Sequence, residues 1–320
     1  MSTSSSSSLM SLLMNSASTT EGLLNNDIIK HFTKIEDEEG NSKFVICHDG
    51  VIYPPIPSLL ECLPRISTFK KKADDVFICA YPYSGTHWMW EVASMILRRK
   101  AERISGVKEE MMLEVIPQPG LDNIESPRVL NTHVLPSVLP PDILSEGKII
   151  LMMRNPKDVA VSAYRQLTGS LYNTYEGSFS NFFELFMKGQ VFYGDYLKYH
   201  LSWLKAIQDK PNALIISYEE ASQDLENVVS KIARFLQVEV EPDLCKDIAD
   251  LCTFKKMKAE KKSENIGPLP TVLWKPNISF YRTGKVATWK NWLTVSQSER
   301  LDERLNKELK DYANLIQFSI

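Results

Sequence analysis

Four short apolar runs recur along the chain, and amphipathic segments separate them. The runs span residues 76–80, 129–132, 148–153 and 213–217. Apolar runs of this length, without a polar residue at every second position, are typical of strands that are buried on both faces. Strands that alternate with helical segments predict an α/β fold, in which helices cover both faces of a central parallel β-sheet.

A smaller antiparallel element is expected ahead of that sheet. Residues 43–53 alternate between apolar and polar positions around His48-Asp49-Gly50. An Asp-Gly pair between two alternating runs is a strong signal for a tight hairpin turn. The sequence therefore predicts a β-hairpin over this stretch.

The first apolar run leads into a candidate anion-binding turn. Pro82 and the triplet Ser84-Gly85-Thr86 follow it, and an apolar helical period begins at Trp88. A helix start presents unpaired N–H groups and the positive end of the helix dipole, which together favour a phosphate or sulfate. An ordinary strand–helix corner of a buried sheet is an equally good interpretation of this segment alone.

The turn lacks the residues of a nucleotide-triphosphate loop. A Walker-type loop needs a lysine that reaches the outer phosphates, and a second glycine. Here there is one glycine and no lysine, and Tyr83 and His87 flank the turn instead. The pattern argues against a kinase or an NTPase.

Polar side chains follow the other three runs where each ends. His133, Arg154 and Tyr218 are the residues in question, and Ser162 lies eight residues beyond Arg154. Ligands of parallel sheets gather at the carboxyl ends of the strands, and the planar fork of an arginine suits a phosphate. A loop histidine, a surface ion pair and a half-buried aromatic are the ordinary alternatives, but their convergence on one edge favours a binding site.

A helix is expected directly after Arg154. Asn155 is a good N-cap, Pro156 suits the first helical position, and Asp158 lies where a carboxylate favours a helix start. Ser162 then falls about two turns into this helix.

Composition limits the class of protein. With 320 residues, 43% of them hydrophobic, the chain can bury one large core, and no linker interrupts residues 45–315. The net charge of −3 gives no reason to expect nucleic acid as a partner. We predict a disordered Ser-rich tail over residues 1–26 and a single domain over residues 27–320.

The cysteines and the N-terminus suggest a cytoplasmic protein. The five cysteines are odd in number and lack metal-binding spacing, so we expect reduced residues and no metal site. The Ser-rich start has no basic n-region and no long apolar run, and no segment approaches a membrane span.

Six motifs resemble those of the cytosolic sulfotransferases. In order they are Tyr-Pro-x-Ser-Gly-Thr-x-Trp (81–88), Thr-His (132–133), Arg-Asn-Pro-Lys-Asp-Val-Ala-Val-Ser (154–162), Tyr-Glu-Glu (218–220), Thr-Phe-Lys-Lys-Met (253–257) and Arg-x-Gly (282–284). The resemblance covers residues 45–310, and the third motif is the most specific.

The resemblance implies transfer of a sulfuryl group from 3′-phosphoadenosine 5′-phosphosulfate (PAPS) to a hydroxyl or an amine. It implies that the turn holds the 5′-phosphosulfate, through Tyr83, Ser84, Gly85, Thr86, His87 and Trp88. It assigns the 3′-phosphate to Arg154, Ser162, Arg282, Thr283 and Gly284. It assigns the adenine to Trp88, Tyr218, Thr253, Phe254 and Met257.

His133 is the general base under this resemblance, and no metal takes part. An imidazole suits the role because its pKa lies near the operating pH. Tyr53, Met112, Tyr172, Leu273 and Trp274 suggest a lipophilic phenol or alcohol as the acceptor.

Three cations that the family usually carries are replaced. Tyr83 and Asn131 stand where lysines are usual, and the late motif over residues 282–290 has Thr283 in place of a third. Two residues could compensate for the missing lysines. The Tyr83 hydroxyl could donate a hydrogen bond to the bridging oxygen, and Lys285 could supply a positive charge in place of a missing neighbour. We therefore keep two hypotheses: an electrostatically altered enzyme, or a non-catalytic relative that binds a nucleotide or a small lipophile.

One further segment matches a family pattern. Residues 290–299 fit Lys-x-x-x-Thr-Val-x-x-x-Glu, which these enzymes use for a small homodimer contact. The alternative is an ordinary helix start that Thr294 or Ser296 caps.

Overall fold

The computed structural model describes residues 32–104, 106–169, 175–260, 284–315 and 318. Arg282 and Thr283 therefore lie outside the described residues, and so do Tyr172, Leu273 and Trp274. The predicted tail over residues 1–26 also lies outside them.

A three-stranded antiparallel sheet comes first in the described chain. Its strands are β1 (Phe32–Glu36), β2 (Ser42–His48) and β3 (Val51–Tyr53), in the order β1-β2-β3. The predicted hairpin is confirmed, because β2 pairs antiparallel with β3 across Asp49 and Gly50, whose φ angles are 48° and 74°. Strand β1 was not predicted.

The central sheet has four parallel strands with the predicted bounds. They are β4 (Val76–Ala80), β5 (Val129–Thr132), β6 (Lys148–Met153) and β7 (Ala213–Ser217). Their order in the sheet is β5-β4-β6-β7. The chain therefore leaves β4 to one side for β5 and returns to the other side for β6. The ends of β4 and β6 flank this reversal of direction, which is the usual place for a ligand in such sheets.

Helices connect the strands and cover the sheet. The α-helices are α1 (Pro57–Cys62), α2 (Thr86–Arg98), α3 (Gln118–Asp122), α4 (Pro141–Glu146), α5 (Pro156–Gly169), α6 (Phe179–Met187), α7 (Tyr196–Ile207), α8 (Tyr218–Gln223), α9 (Leu225–Leu236), α10 (Pro242–Leu251), α11 (Phe254–Glu260) and α12 (Val295–Glu308). Short 3-10 helices span Leu63–Thr68, Lys108–Met111, Pro136–Val138, Thr288–Asn291 and Lys310–Leu315.

Both faces of the central sheet are buried, as the apolar runs predicted. Along β4, Phe77 and Cys79 face one apolar core, which contains residues of α5, α6 and α7. Val76, Ile78 and Ala80 face a second core, which contains residues of α2, α9 and α10. This alternation, with helices on both sides, confirms the predicted α/β class. None of the helices within the described ranges is long and apolar enough to cross a membrane.

Candidate active site

The turn between β4 and α2 is built to present donors. Tyr83 and Gly85 have φ angles of 69° and 103°, and the left-handed conformation costs a non-glycine residue about 1 kcal/mol or more. Within the described structure no side chain caps the start of α2, and the N–H of Trp88 donates to the carbonyl oxygen of Gly85 at 3.0 Å. The hydroxyls of Ser84 and Thr86 are buried and lack a hydrogen-bond partner among the described residues.

Gly85 allows a close approach of an aromatic ring to this turn. A Cβ atom at this position would lie 3.0 Å from Cδ2 of Tyr218 and 3.3 Å from Cε of Met152. Tyr218 begins α8, directly after β7. The ends of β4 and β7 therefore meet beside this turn, as the sequence predicted.

Arg154 holds the turn from the end of β6. Its Nη1 donates to the carbonyl oxygen of Tyr83 at 2.9 Å and lies 3.4 Å from Oγ of Ser162. Its guanidinium carbon lies 4.1 Å from the ring centroid of Tyr218. The Nε atom is buried and has no partner among the described residues. The structure thus places Arg154, Ser162, Tyr218 and the turn together, with unpaired donors that fit an anionic ligand.

An aromatic wall extends from this turn. The rings of Trp88 and Tyr218 meet edge to face at 5.3 Å, and Nε1 of Trp88 donates to the carbonyl oxygen of Cys252 at 2.9 Å. This bond brings the start of α11 to the same place, with Met257 buried. The Thr253 hydroxyl donates to the carbonyl of Asp250, within its own chain segment.

Gly284 lies against the first residue of α11. A Cβ atom at position 284 would lie 2.2 Å from the ring of Phe254, so only glycine fits there. The two motifs over residues 253–257 and 282–284 therefore meet in space, as far as the described residues extend.

His133 follows β5, and its tautomer is fixed by a neighbouring strand. Its Nδ1 lies 2.7 Å from the carbonyl oxygen of Ala80, the last residue of β4. A carbonyl only accepts, so Nδ1 carries the proton and Nε2 keeps its lone pair. Burial, together with the positive charge of Lys108, lowers the pKa of His133 to about 3. The ring is therefore neutral, with an accepting Nε2, but it is a weaker base than the sequence predicted, because this pKa lies well below the operating pH.

Glu114 anchors the corner that carries His133. Its carboxylate accepts from the N–H of His133 at 2.7 Å, from Oγ1 of Thr132 at 2.8 Å and from the Tyr193 hydroxyl at 3.3 Å. Burial raises the pKa of Glu114. Sequence reasoning missed this residue, although an acidic residue within the apolar run over residues 111–116 was a usable signal.

A second polar cluster links β5 to the start of α2. Lys108 Nζ lies 3.2 Å from Glu109 Oε1 and 3.4 Å from Asn131 Oδ1. Glu109 in turn lies 2.8 Å from Nε2 of His87. Sequence reasoning missed Lys108 and Glu109, because no local pattern marks the short 3-10 helix that carries them.

Asp158 has a different role from the one predicted. It lies in the first turn of α5 as expected, but its carboxylate accepts from N–H groups of Ala287 and Trp289 and from the Thr288 hydroxyl, at 2.8–3.0 Å. The residue therefore anchors the late motif. Lys285, in the same motif, is exposed.

The predicted acceptor residues are described only in part. Tyr53 and Met112 are buried. The Tyr53 ring meets that of Tyr193 at 5.2 Å, and Tyr193 meets the ring of His133 at 5.3 Å. Both contacts are edge to face, so a row of buried aromatic side chains continues from His133 to the hairpin.

Solved structures similar to this chain have the same fold. The crystal structure of mouse sulfotransferase SULT7A1 complexed with PAP matches with a TM-score of 0.72 at 29% identity, over 84% of this chain and 96% of that one. Retinol dehydratase in complex with androsterone and PAP matches with a TM-score of 0.69 at 20% identity, over 89% of this chain and 94% of that one. The second likeness concerns the fold alone.

Sequence comparisons give the family. A family model described as "Sulfotransferase domain" matches residues 73–313. Sulfotransferase 6B1 of Danio rerio is 31% identical over 268 residues, which cover 82% of this chain and 87% of that protein. Human Sulfotransferase 1E1 is 33% identical over 283 residues, which cover 84% and 94%. The chain therefore belongs to the sulfotransferase family, as its motifs predicted.

Proposed function

We propose that this protein is an active sulfotransferase that moves the sulfuryl group of PAPS to the hydroxyl, or amine, of a small lipophilic acceptor. The observation that carries the proposal is the set of unpaired buried donors at the turn. Ser84 Oγ, Thr86 Oγ1 and Arg154 Nε have no partner among the described residues. Leaving such donors unsatisfied costs about 1–3 kcal/mol each, which an anionic ligand would recover.

The charge and the aromatic character of these residues support PAPS as the donor molecule. PAPS would supply an activated sulfuryl group, which needs no redox step and no metal for its transfer. The turn and Arg154 would hold its phosphate groups, and the Trp88–Tyr218 pair would pack against its adenine. Base–aromatic stacking contributes about 1–3 kcal/mol per base. The PAP bound to the mouse relative supports the same choice of ligand.

In this proposal His133 is the general base that takes the proton of the acceptor. In the transfer, the bond from sulfur to the bridging phosphate oxygen breaks and a bond from sulfur to the acceptor oxygen forms. The acceptor proton moves to Nε2 of His133, and adenosine 3′,5′-bisphosphate (PAP) leaves. A neutral ring with Nδ1 held by the Ala80 carbonyl presents the required lone pair at Nε2.

The residues around His133 support a lipophilic acceptor. The buried rings of Tyr193 and Tyr53 continue from it as a row of aromatic side chains. Apolar aromatic surroundings favour a flat apolar molecule with one hydroxyl, a phenol or a lipophilic alcohol, over a charged sugar.

Turnover of labelled PAPS with a panel of phenols and lipophilic alcohols tests the proposal. We expect sulfated product from the full-length protein and none from His133→Ala, with unchanged affinity for PAP. His48→Ala on the hairpin is the matched control and should retain activity. A protein that binds PAP but forms no product with any acceptor would favour the non-catalytic alternative.

A small homodimer contact is a separate proposal. Val295 lies in the predicted contact segment, and it is 74% exposed. Thr294 does cap α12, since its Oγ1 accepts from the N–H of Gln297 at 3.2 Å, but this capping leaves Val295 free to meet a second copy. Val295→Glu should shift a dimer to a monomer in analytical ultracentrifugation, and a dimer that persists would contradict the proposal.

A further inference from the structure

Lys108 is an unusual residue for its location. Its side chain is 7% exposed, and it lies on the short 3-10 helix Lys108–Met111 beside the end of β5. A buried ammonium is costly, so such groups are kept where a charge is used or matched. The groups that surround this ammonium should therefore show how its charge is matched or used.

Asn131 fixes the direction of the Lys108 side chain. Its Nδ2 donates to the backbone carbonyl of Lys108 at 2.6 Å, while its Oδ1 accepts from Lys108 Nζ at 3.4 Å. Asn131 is fully buried and lies on β5, two residues before His133. One amide thus holds both ends of the lysine and directs its ammonium toward the end of β5.

Lys108 also contacts, through Glu109, the helix that follows the turn between β4 and α2. Its Nζ lies 3.2 Å from Oε1 of Glu109, and the same oxygen lies 2.8 Å from Nε2 of His87. His87 is the second residue of α2, directly after the turn. Glu109 therefore links the Lys108 ammonium to the start of α2, and Asn131 links it to the strand that precedes His133.

Among the described residues, the ammonium of Lys108 contacts one carboxylate, that of Glu109, and one amide oxygen, that of Asn131. Glu109 is shared with His87, and the next polar neighbour of Nζ is the Met112 thioether at 3.9 Å, which is a weak acceptor. The positive charge of Lys108 reaches His133, whose pKa it helps to lower. A third and better acceptor would complete the coordination of this ammonium.

We infer that Lys108 binds the sulfuryl oxygens of the donor during transfer, and that Asn131, Glu109 and His87 position it. The inference rests on the proposed function. It explains how a site with Tyr83 in the turn and Asn131 on β5 still offers a cation to an anionic group. The cation comes from a neighbouring 3-10 helix instead of from the turn or the strand.

The distinguishing experiment compares two ligands that differ only in the sulfuryl group. Calorimetry of the full-length protein measures affinities for PAP and for PAPS without acceptor. We expect Lys108→Gln to leave the PAP affinity within about twofold and to weaken PAPS by about tenfold, the effect of one charge-assisted hydrogen bond. Turnover should fall by about a hundredfold, as on removal of one donor to a developing charge.

Two further variants separate the effect of losing the positive charge from the effect of disturbing the local structure. Lys108→Arg should keep most of the PAPS affinity. The double variant Lys108→Gln/Asn131→Lys places a cation on β5 instead of on the 3-10 helix, and it should recover part of the PAPS affinity. Lys148→Gln is the control, since Lys148 begins β6 at the opposite end of the sheet and its Nζ donates to the carbonyl of Leu236.

Each outcome decides the inference. Equal losses of PAP and PAPS affinity in Lys108→Gln, or no loss of either, would overturn it. Wild-type protein that binds both ligands but forms no product would contradict the proposed function. The PAP and PAPS affinities of Lys108→Gln would then still test the inference about Lys108. Wild-type protein that binds neither ligand would overturn both.

Discussion

His133 is held by Ala80 through a hydrogen bond of 2.7 Å from Nδ1 to the backbone carbonyl. The two residues lie at the ends of β5 and β4, which are adjacent strands of the parallel sheet. The pairing of the strands thus decides which ring nitrogen is protonated. A proposed base is oriented here by the backbone, and no carboxylate of the described ranges bonds to its ring.

The low pKa of His133 predicts how activity depends on pH. Burial and the charge of Lys108 hold this pKa at about 3, so the ring stays neutral as the pH falls through the range where an ordinary histidine gains its proton. We expect kcat/KM for an acceptor that does not titrate in this range to be flat from about pH 5.5 to 7.5. An acid limb with an apparent pKa near 6.5 would contradict this geometry.

Tyr83 is the residue of the turn that we propose as a hydrogen-bond donor to the bridging oxygen of PAPS. Burial raises the pKa of its hydroxyl, which therefore stays protonated and able to donate. We expect Tyr83→Phe to lower turnover about tenfold, the effect of one hydrogen bond to a charged group, without a change in PAP affinity. Tyr312→Phe, far along the chain in the last 3-10 helix, is the control. Unchanged turnover in Tyr83→Phe would remove this residue from the proposed chemistry.

Arg154 combines three contacts that a lysine cannot reproduce. Its planar group packs on Tyr218, contacts Ser162 and donates to the Tyr83 carbonyl. We expect Arg154→Lys to weaken PAP binding by about 10- to 100-fold, because a single ammonium replaces the planar fork. Arg165→Lys on the exposed side of α5 should bind PAP like the wild type in the same titration. Equal affinities in both variants would exclude Arg154 from the phosphate site.

Asp158 is expected to matter for stability more than for chemistry. Its buried carboxylate accepts three hydrogen bonds from residues 287–289, more than 120 positions along the chain. Asp158→Asn places an NH2 group against these donors and should lower the free energy of unfolding by about 2 kcal/mol in urea. Thr288→Val removes one bond and should cost about 1 kcal/mol. An Asp158→Asn variant with an unchanged free energy of unfolding would mean that other contacts hold residues 287–289 in place.

The sheet was predictable because its strands are short, mainly apolar segments that end at chemically distinct residues. The bounds of β4, β5, β6 and β7 follow from the pattern alone, and so does the convergence of Arg154 and Tyr218 on the turn. The order of the strands follows from long-range pairing, which no local pattern encodes.

Two parts of the site depend on contacts between distant segments. Lys108 reaches Asn131 because a short 3-10 helix packs beside β5, and Asp158 meets Trp289 across 131 positions. In the sequence, Lys108 belongs to an ordinary charged stretch, and Asp158 is a typical first-turn carboxylate. Their partners become visible only once the chain is folded.

Calorimetric titration of the full-length protein with PAP tests the central claim most directly, because it needs no knowledge of the acceptor. The account predicts a dissociation constant of about 1 µM or lower, which corresponds to roughly −8 kcal/mol, and a loss of at least tenfold in Arg154→Lys. No detectable binding at millimolar PAP would contradict it, since the unpaired donors around Ser84, Thr86 and Arg154 would then serve some other ligand.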